Sequence, residues 1–276
     1  MKVIDTFMFC NELDMLEGRL EYLYDHVDHF VLVEAPITQS GHEKPMHFMN
    51  NISRYKKYID KIIYFPFVCK RSDFDFDKIP NHERDYNTGP WQVENGQRDH
   101  ITECLGLFSD DSLIFISDCD EIYHKDCIGI AKDCFASGYE ALSIQMDHYQ
   151  FNFENKSKNN QILFSTVSTN AYTKRERAKN VHNNRYSHAV IHNGGWHLSW
   201  WLDPKAIQYK IETFAHQEKN QEQFKSMEYI NKKLQEGGDI FNRDPNVHAF
   251  EKGDVANIPE NVYRIFNGIQ QKIDDL

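Results

Sequence analysis

The feature that most constrains this chain is a short apolar run, Ser112-Leu113-Ile114-Phe115-Ile116, that stops abruptly at Ser117-Asp118-Cys119-Asp120-Glu121. Four uninterrupted apolar residues, Leu113 to Ile116, bounded by polar ones read as a strand buried on both faces, the kind found in parallel sheets covered by helices. Such a strand delivers three carboxylates, Asp118, Asp120 and Glu121, to its C-terminal edge. In open α/β sheets that edge is where ligands bind. Crowded like charges are unfavourable unless something positive sits among them, and carboxylate oxygen suits a hard divalent cation such as magnesium or manganese. A bare Asp-x-Asp is also a common helix-entry pattern, so two readings stand at this point: a metal and diphosphate site, or a polar cap on the next helix.

The flanking sequence extends the α/β pattern. Val3 to Phe9 reads as a strand, and Glu12 to Tyr24 as a helix with Leu13, Leu16, Leu20 and Leu23 on one stripe. His29–Glu34 and Ile62–Phe65 are further strands, and Gln92 to Phe108 a helix. Residues 69 to 91 form a long loop rich in Asp, Asn, Gly and Pro; long loops in compact domains are usually functional or mobile. A helix over 125–136 follows, then strands near 139–146 and 149–154, over Ile162–Thr173 and over Ser187–Ser199. Helical spacing returns from Lys205 to Gln235 and stops at Gly237-Gly238. This alternation predicts an α/β fold, a Rossmann-like αβα sandwich whose central sheet is mostly parallel, with a helical C-terminal extension. We expect one domain over 1–276: a nucleotide-binding half (1–125), an acceptor-binding half (126–240) and a tail (241–276).

Composition narrows the partners. A net charge of −11 with no basic stretch longer than Lys174-Arg175-Glu176-Arg177 argues against nucleic acid. A phosphate ligand would need a metal or a few placed cations. The six cysteines form no CxxC pair, as in a reduced protein. The chain opens directly on a strand pattern without the features of a leader, and no 18-residue apolar stretch occurs, so a cytoplasmic setting without a membrane span is expected.

Several blocks together resemble glycosyltransferase family 17. They are Asn11 to Leu20, Val27 to Ala35, Gly41-His42-Glu43-Lys44-Pro45, Gln97-Arg98-Asp99, Asp118-Cys119-Asp120-Glu121-Ile122, Gly195-Trp196-His197-Leu198-Ser199-Trp200 and Gly237-Gly238. They occur in the family's order over roughly residues 3 to 240. The resemblance implies a GT-A fold, a metal (manganese or magnesium), a UDP-sugar donor, specifically uridine diphosphate N-acetylglucosamine, a carbohydrate or glycoconjugate acceptor, and inversion at the anomeric carbon. The segment Gln145 to Tyr149 departs from the animal members, which leaves the sugar and the acceptor open.

On this reading Asp118, Asp120 and His197 are the expected metal ligands, with Asp118 an alternative ribose contact and His197 alternatively a hydrogen-bonded structural group. Glu121 is expected to orient a neighbour or touch the sugar. Glu12, Glu34 and Thr38, after the first two strands, fall where base and ribose would sit, although Glu12 equally suits a helix cap. Arg98 and Lys44 are candidate diphosphate contacts, with a surface ion pair the alternative for Arg98. Trp196 and Trp200 are expected on one strand face as sugar platforms, opposite Trp201, with core packing the competing account. For the general base that takes the acceptor proton, the order of expectation is Asp147, Glu218, Asp203. Two other functions keep the same motif: a metal-dependent phosphohydrolase or nucleotidyltransferase, and a non-catalytic lectin-like module.

Overall fold

A computed structural model describes residues 1–159 and 161–269. The part of the expected tail over 270–276 lies outside the described residues.

Among the described residues, twelve strands form two sheets. In chain order they are β1 (Val3–Phe9), β2 (His29–Glu34), β3 (Ile62–Tyr64), β4 (Leu113–Asp118), β5 (Glu121–Tyr123), β6 (Ala141–Gln145), β7 (Asp147–Gln150), β8 (Asn155–Ser157), β9 (Leu163–Thr169), β10 (Ala189–Ile191), β11 (Gly195–Ser199) and β12 (Phe250–Lys252). The larger sheet has the order β10-β6-β9-β4-β1-β2-β3. Only β9, antiparallel to β4 and β6, interrupts its parallel register. The chain moves from β1 outward to β3, then returns across β1 to lay β4 on its other side. That reversal makes a crevice between the carboxyl ends of β1 and β4.

Strand periodicity splits the apolar residues of β1 between two layers. Val3, Phe7 and Phe9 pack with Leu13, Leu16, Leu20 and Leu23 of the first helix and with Val262 and Phe266 near the C-terminus. Ile4 packs on the other face with Ile101 and Cys104 of the helix Gly89–Cys104 and with Ala178 and Val181. The leucine stripe read from the sequence is therefore the stripe that is buried. The result is the α/β, GT-A-type sandwich expected, with helices on both faces of a parallel-rich sheet.

The smaller sheet, β12-β8-β7-β11-β5, packs beside the C-terminal edge of the first. Three of its strands are only three residues long and were not legible as strands. The strand expected over Ser187–Ser199 divides at His192–Gly194, where Asn193 has φ 53°. The strand expected to run to Thr173 gives way at Asn170 to a helix capped by the Thr169 side chain. Gly195 opens β11 with φ 144°, and a Cβ there would lie 2.2 Å from the Ile122 carbonyl oxygen, so only glycine lets β11 reach β5. The C-terminal extension adds a third apolar cluster, in which Ala206, Ile207 and Ile211 meet Phe151, Trp200 and Phe241. Among the described residues, no helix is long and apolar enough to cross a membrane. All six cysteines are free thiols.

Candidate active site

A cavity of about 580 Å³ opens at the β1/β4 crevice. Met8 to Glu12 line one side, Asp118 to Glu121 another, and the small sheet contributes His148, Gln150, His197 and Ser199. Pairing explains the last group. His197 stands opposite Glu121 on β5 and opposite His148 on β7, and Ser199 opposite Gln150. Residues directly across a ladder share a face, so one row of Glu121, His197 and His148 is presented to the cavity. Arg243, His248 and Phe250 also line it, so the segment expected to be a separate tail helps to build the site.

The acidic turn is held from behind by Arg19, which is fully buried. Its Nη1 donates to the carbonyls of Asp118 (3.1 Å), Cys119 (3.3 Å) and Glu121 (2.8 Å), and its Nη2 to Ser117 Oγ (2.6 Å). Asp5 balances the guanidinium with two contacts, 2.8 and 2.6 Å.

In front, the carboxylates already meet cations of the protein. Arg98 Nη2 lies 2.9 Å from Asp118 Oδ1, so the helix carrying it does face the crevice. Lys210 Nζ lies 3.3 Å from Asp120 Oδ2, and His197 Nε2 lies 3.5 Å from Asp120 Oδ1. Burial alone would raise the Asp120 pKa, but Lys210 and His197 outweigh it and hold the carboxyl well below the ordinary range. Burial likewise opposes the charges on His197 and Lys210, and Asp120 overcomes it, so both are held above their usual values. Glu121 behaves oppositely. Burial and then the Asp118 charge push it up to about 7. Its Oε2 accepts from the Asp118 N–H and the Ser165 hydroxyl, both at 3.0 Å, so it braces the turn. Burial and His197 drive His148 well below the usual imidazole value, so it is neutral; it bonds Ser199 Oγ at 2.8 Å.

Six lining residues are lysine or arginine: Lys44, Arg84, Arg98, Arg185, Lys210 and Arg243. They face five lining carboxylates, Glu12, Glu94, Asp118, Asp120 and Glu121, so the lining carries a small positive excess in a chain of net charge −11, which favours an anion there. Lys210, Arg84, Arg185 and Arg243 were not among the expected residues. No motif marks them, because they come from four distant segments.

The other expected residues divide. Glu12 and Thr38 line the cavity. Glu12 Oε2 accepts from the N–H groups of Cys10 and Asn11, both at 3.0 Å, so it also holds the loop after β1. Glu34 does not line the cavity. It is fully buried and takes Lys44 Nζ (2.9 Å), the N–H groups of His47 (2.6 Å) and Phe48 (3.3 Å), and the Tyr64 hydroxyl (3.1 Å). That network folds the 37–48 segment and engages Lys44, which also lines the cavity. The pair expected to touch the nucleotide is thus a buried structural ion pair.

Trp196 is also corrected. It lies in the main core against Tyr22, with ring centroids 6.0 Å apart. Trp200 lines the cavity instead. The strand ends at Ser199, and Trp200 takes a left-handed backbone, φ 62°, which breaks the alternation and separates it from Trp196. Trp201 returns to the core beside Phe153.

None of the three expected bases lines the cavity. Asp147 stands opposite Trp196, one residue out of phase with the row that faces the cavity, and pairs with Lys156 at 2.8 Å. Asp203 caps the helix Pro204–Thr213 through the Ala206 N–H at 2.7 Å. Glu218 reaches the rim only through His216, 2.6 Å away. Glu83, His216 and Glu218 bring three potential metal-ligand atoms within 4.8 Å of one another, but Glu83 is engaged by Lys219 at 3.3 Å. A carboxylate that sequence reasoning missed, Glu94, does line the cavity; burial raises its pKa against the opposing pull of Arg98, 3.4 Å away.

The chain is 23% identical over 238 residues to the beta-1,4-mannosyl-glycoprotein 4-beta-N-acetylglucosaminyltransferase of Rattus norvegicus, and equally to that of Homo sapiens. Each alignment covers 76% of this chain and 42% of the relative, so the chain spans less than half the length of these relatives. Among solved structures, the 4-diphosphocytidyl-2C-methyl-D-erythritol synthase of Anaerococcus prevotii is similar at a TM-score of 0.44 and 9% identity, over 80% of this chain and 96% of that one. The family model described as glycosyltransferase family 17 matches residues 1–262. With that match over nearly its whole length, the chain belongs to glycosyltransferase family 17.

Proposed function

We propose that this chain is an inverting glycosyltransferase that moves N-acetylglucosamine from uridine diphosphate N-acetylglucosamine to a hydroxyl of a glycan acceptor, with the help of a divalent ion. The observation that carries the reading is the acidic turn Asp118–Glu121 opening into a cavity lined by Lys and Arg at the β1/β4 crevice, in a family 17 chain. The choice of sugar follows the activity named for the relatives.

In the reaction, the acceptor oxygen forms a bond to the anomeric carbon while that carbon's bond to the diphosphate oxygen breaks. The acceptor proton passes to a carboxylate, and the electron pair leaves with the nucleoside diphosphate. Thr38 and Glu12, at the ends of β2 and β1, suit the nucleoside side of the cavity. Arg98 and Lys210 suit the diphosphate, and Trp200 offers the sugar an apolar face. Glu94, which lines the cavity with a raised pKa, is the carboxylate we assign as proton acceptor.

The expected ligand set fits a divalent ion in reduced form. Asp118 is turned to Arg98, which leaves Asp120 Oδ1 and His197 Nε2, 3.5 Å apart, as the converging pair. One carboxylate and one imidazole suit manganese better than magnesium, and two protein ligands leave positions for diphosphate oxygens and water. An ion held there would neutralise the charge of the departing diphosphate.

The test is a thermal-shift screen of nucleoside diphosphates and nucleotide sugars, with and without manganese. A ligand that binds only the folded state raises the midpoint. A shift selective for uridine diphosphate and strengthened by manganese is expected in the wild type and lost in Asp120→Ala. Transfer that persists in Asp120→Ala or in excess EDTA overturns the metal assignment.

A further inference from the structure

The acidic turn poses a competition that its neighbours define. Lys210 sits on the helix Pro204–Thr213, whose position is fixed by the Asp203 cap and by buried Ala206, Ile207 and Ile211. Its stem passes Trp200, with the ammonium 5.3 Å from the ring centroid and 3.3 Å from Asp120 Oδ2. His197 takes the other oxygen. Both oxygens of Asp120 are therefore engaged within the protein. A divalent ion at Asp120 and an ammonium in contact with the same carboxylate repel each other strongly in so buried a place. One of them must yield. The helix cannot move without losing its apolar contacts, but a lysine side chain has a flexible four-carbon stem and rotatable donors. Of the other carboxylates that act on Lys210, Glu12 accepts from the N–H groups of Cys10 and Asn11 and Asp118 is held by Arg98.

We propose that Lys210 is a displaceable internal cation, which neutralises Asp120 in the ligand-free protein and transfers to the donor's diphosphate oxygens when a divalent ion takes Asp120. This rests on the nucleotide-sugar reading of the cavity. It makes ion and donor binding interdependent through one side chain. The ion frees the ammonium, and the diphosphate gives the ammonium a new partner.

The experiment compares the wild type with Lys210→Met, which keeps the stem against Trp200, and Lys210→Arg, which keeps the charge. Manganese affinity is measured by electron paramagnetic resonance without nucleotide, and uridine diphosphate affinity by calorimetry at saturating manganese. In Lys210→Met, manganese is expected to bind about tenfold tighter and uridine diphosphate about tenfold weaker; Lys210→Arg lies nearer the wild type on both. A merely structural lysine would weaken both ligands together. In the wild type, magnesium is expected to change tryptophan emission as the ammonium leaves the Trp200 face, and Trp200→Phe should abolish that change. Equal manganese affinity in wild type and Lys210→Met, with uridine diphosphate still bound, overturns this inference alone. Failure of all three proteins to bind manganese or uridine diphosphate overturns it together with the reading beneath it.

Discussion

Arg19 and Asp5 face each other with no solvent contact, through nitrogens 2.8 and 2.6 Å from the two carboxylate oxygens. The guanidinium spends its remaining donors on three carbonyls of the acidic turn and on the Ser117 hydroxyl. Helix and strand are thereby locked to the segment that carries Asp118 and Asp120. Replacing Arg19 by Met strands a buried carboxylate and three carbonyl acceptors, so a loss of about 3–5 kcal/mol is expected in urea unfolding. Arg19→Met with Asp5→Leu should cost less than Arg19→Met alone, because the stranded charge is gone. An additive double mutant would refute the pairing as the source of the effect.

The two tryptophans predict different phenotypes. Trp196→Ala empties a core position and is expected to destabilise the fold by about 3–5 kcal/mol. Trp200→Ala removes both a cavity wall and a member of the third apolar cluster, so it should also destabilise but, unlike Trp196→Ala, raise the KM for donor or acceptor about tenfold, on the scale of one lost aromatic contact. Chemical denaturation and steady-state kinetics on the same two proteins separate these outcomes.

For the proton acceptor, Glu94→Gln is expected to lower kcat by about 10²–10⁴-fold with binding retained. Asp147→Asn removes only a half-exposed pair with Lys156, for which about 0–1 kcal/mol of stability is at stake, and should leave turnover near wild type. The reverse pattern would return the role to Asp147.

Asp85 predicts a pH effect on the rim. It accepts four hydrogen bonds, from the backbone and side-chain nitrogens of Asn81 and Asn87, and these hold its pKa down to about 2 against an ordinary 3.8. A depressed carboxylate contributes stability that is present above its unfolded pKa and lost as pH falls through the folded one. Protection of residues 81–88 against hydrogen exchange, relative to the unstructured chain at the same pH, should therefore fall between pH 4 and pH 2. In Asp85→Asn the loop should be poorly protected at every pH. Unchanged protection in that variant would show that the carboxylate does not organise the loop.

Much of the fold could be read along the chain because its signals are local. Leu13, Leu16, Leu20 and Leu23 mark a helix face within eleven residues, and Leu113 to Ile116 mark a buried strand within four. The small sheet was hidden because three of its strands are three residues long, too short for a period to register. Its parity had the largest effect on the site. Asp147 and His148 are neighbours, yet only the register of β7 against β11 decides that His148 faces the cavity and Asp147 does not.

By itself, the sequence determined that an apolar strand would end in three carboxylates at the carboxyl edge of a parallel sheet, because burial and periodicity act over a few adjacent residues. Which acids stay available there was decided only by tertiary structure. Glu34 is consumed by Lys44, Asp118 by Arg98 and Asp120 by Lys210 and His197. Charges find partners through space, and those partners lie 10 to 90 residues away along the chain.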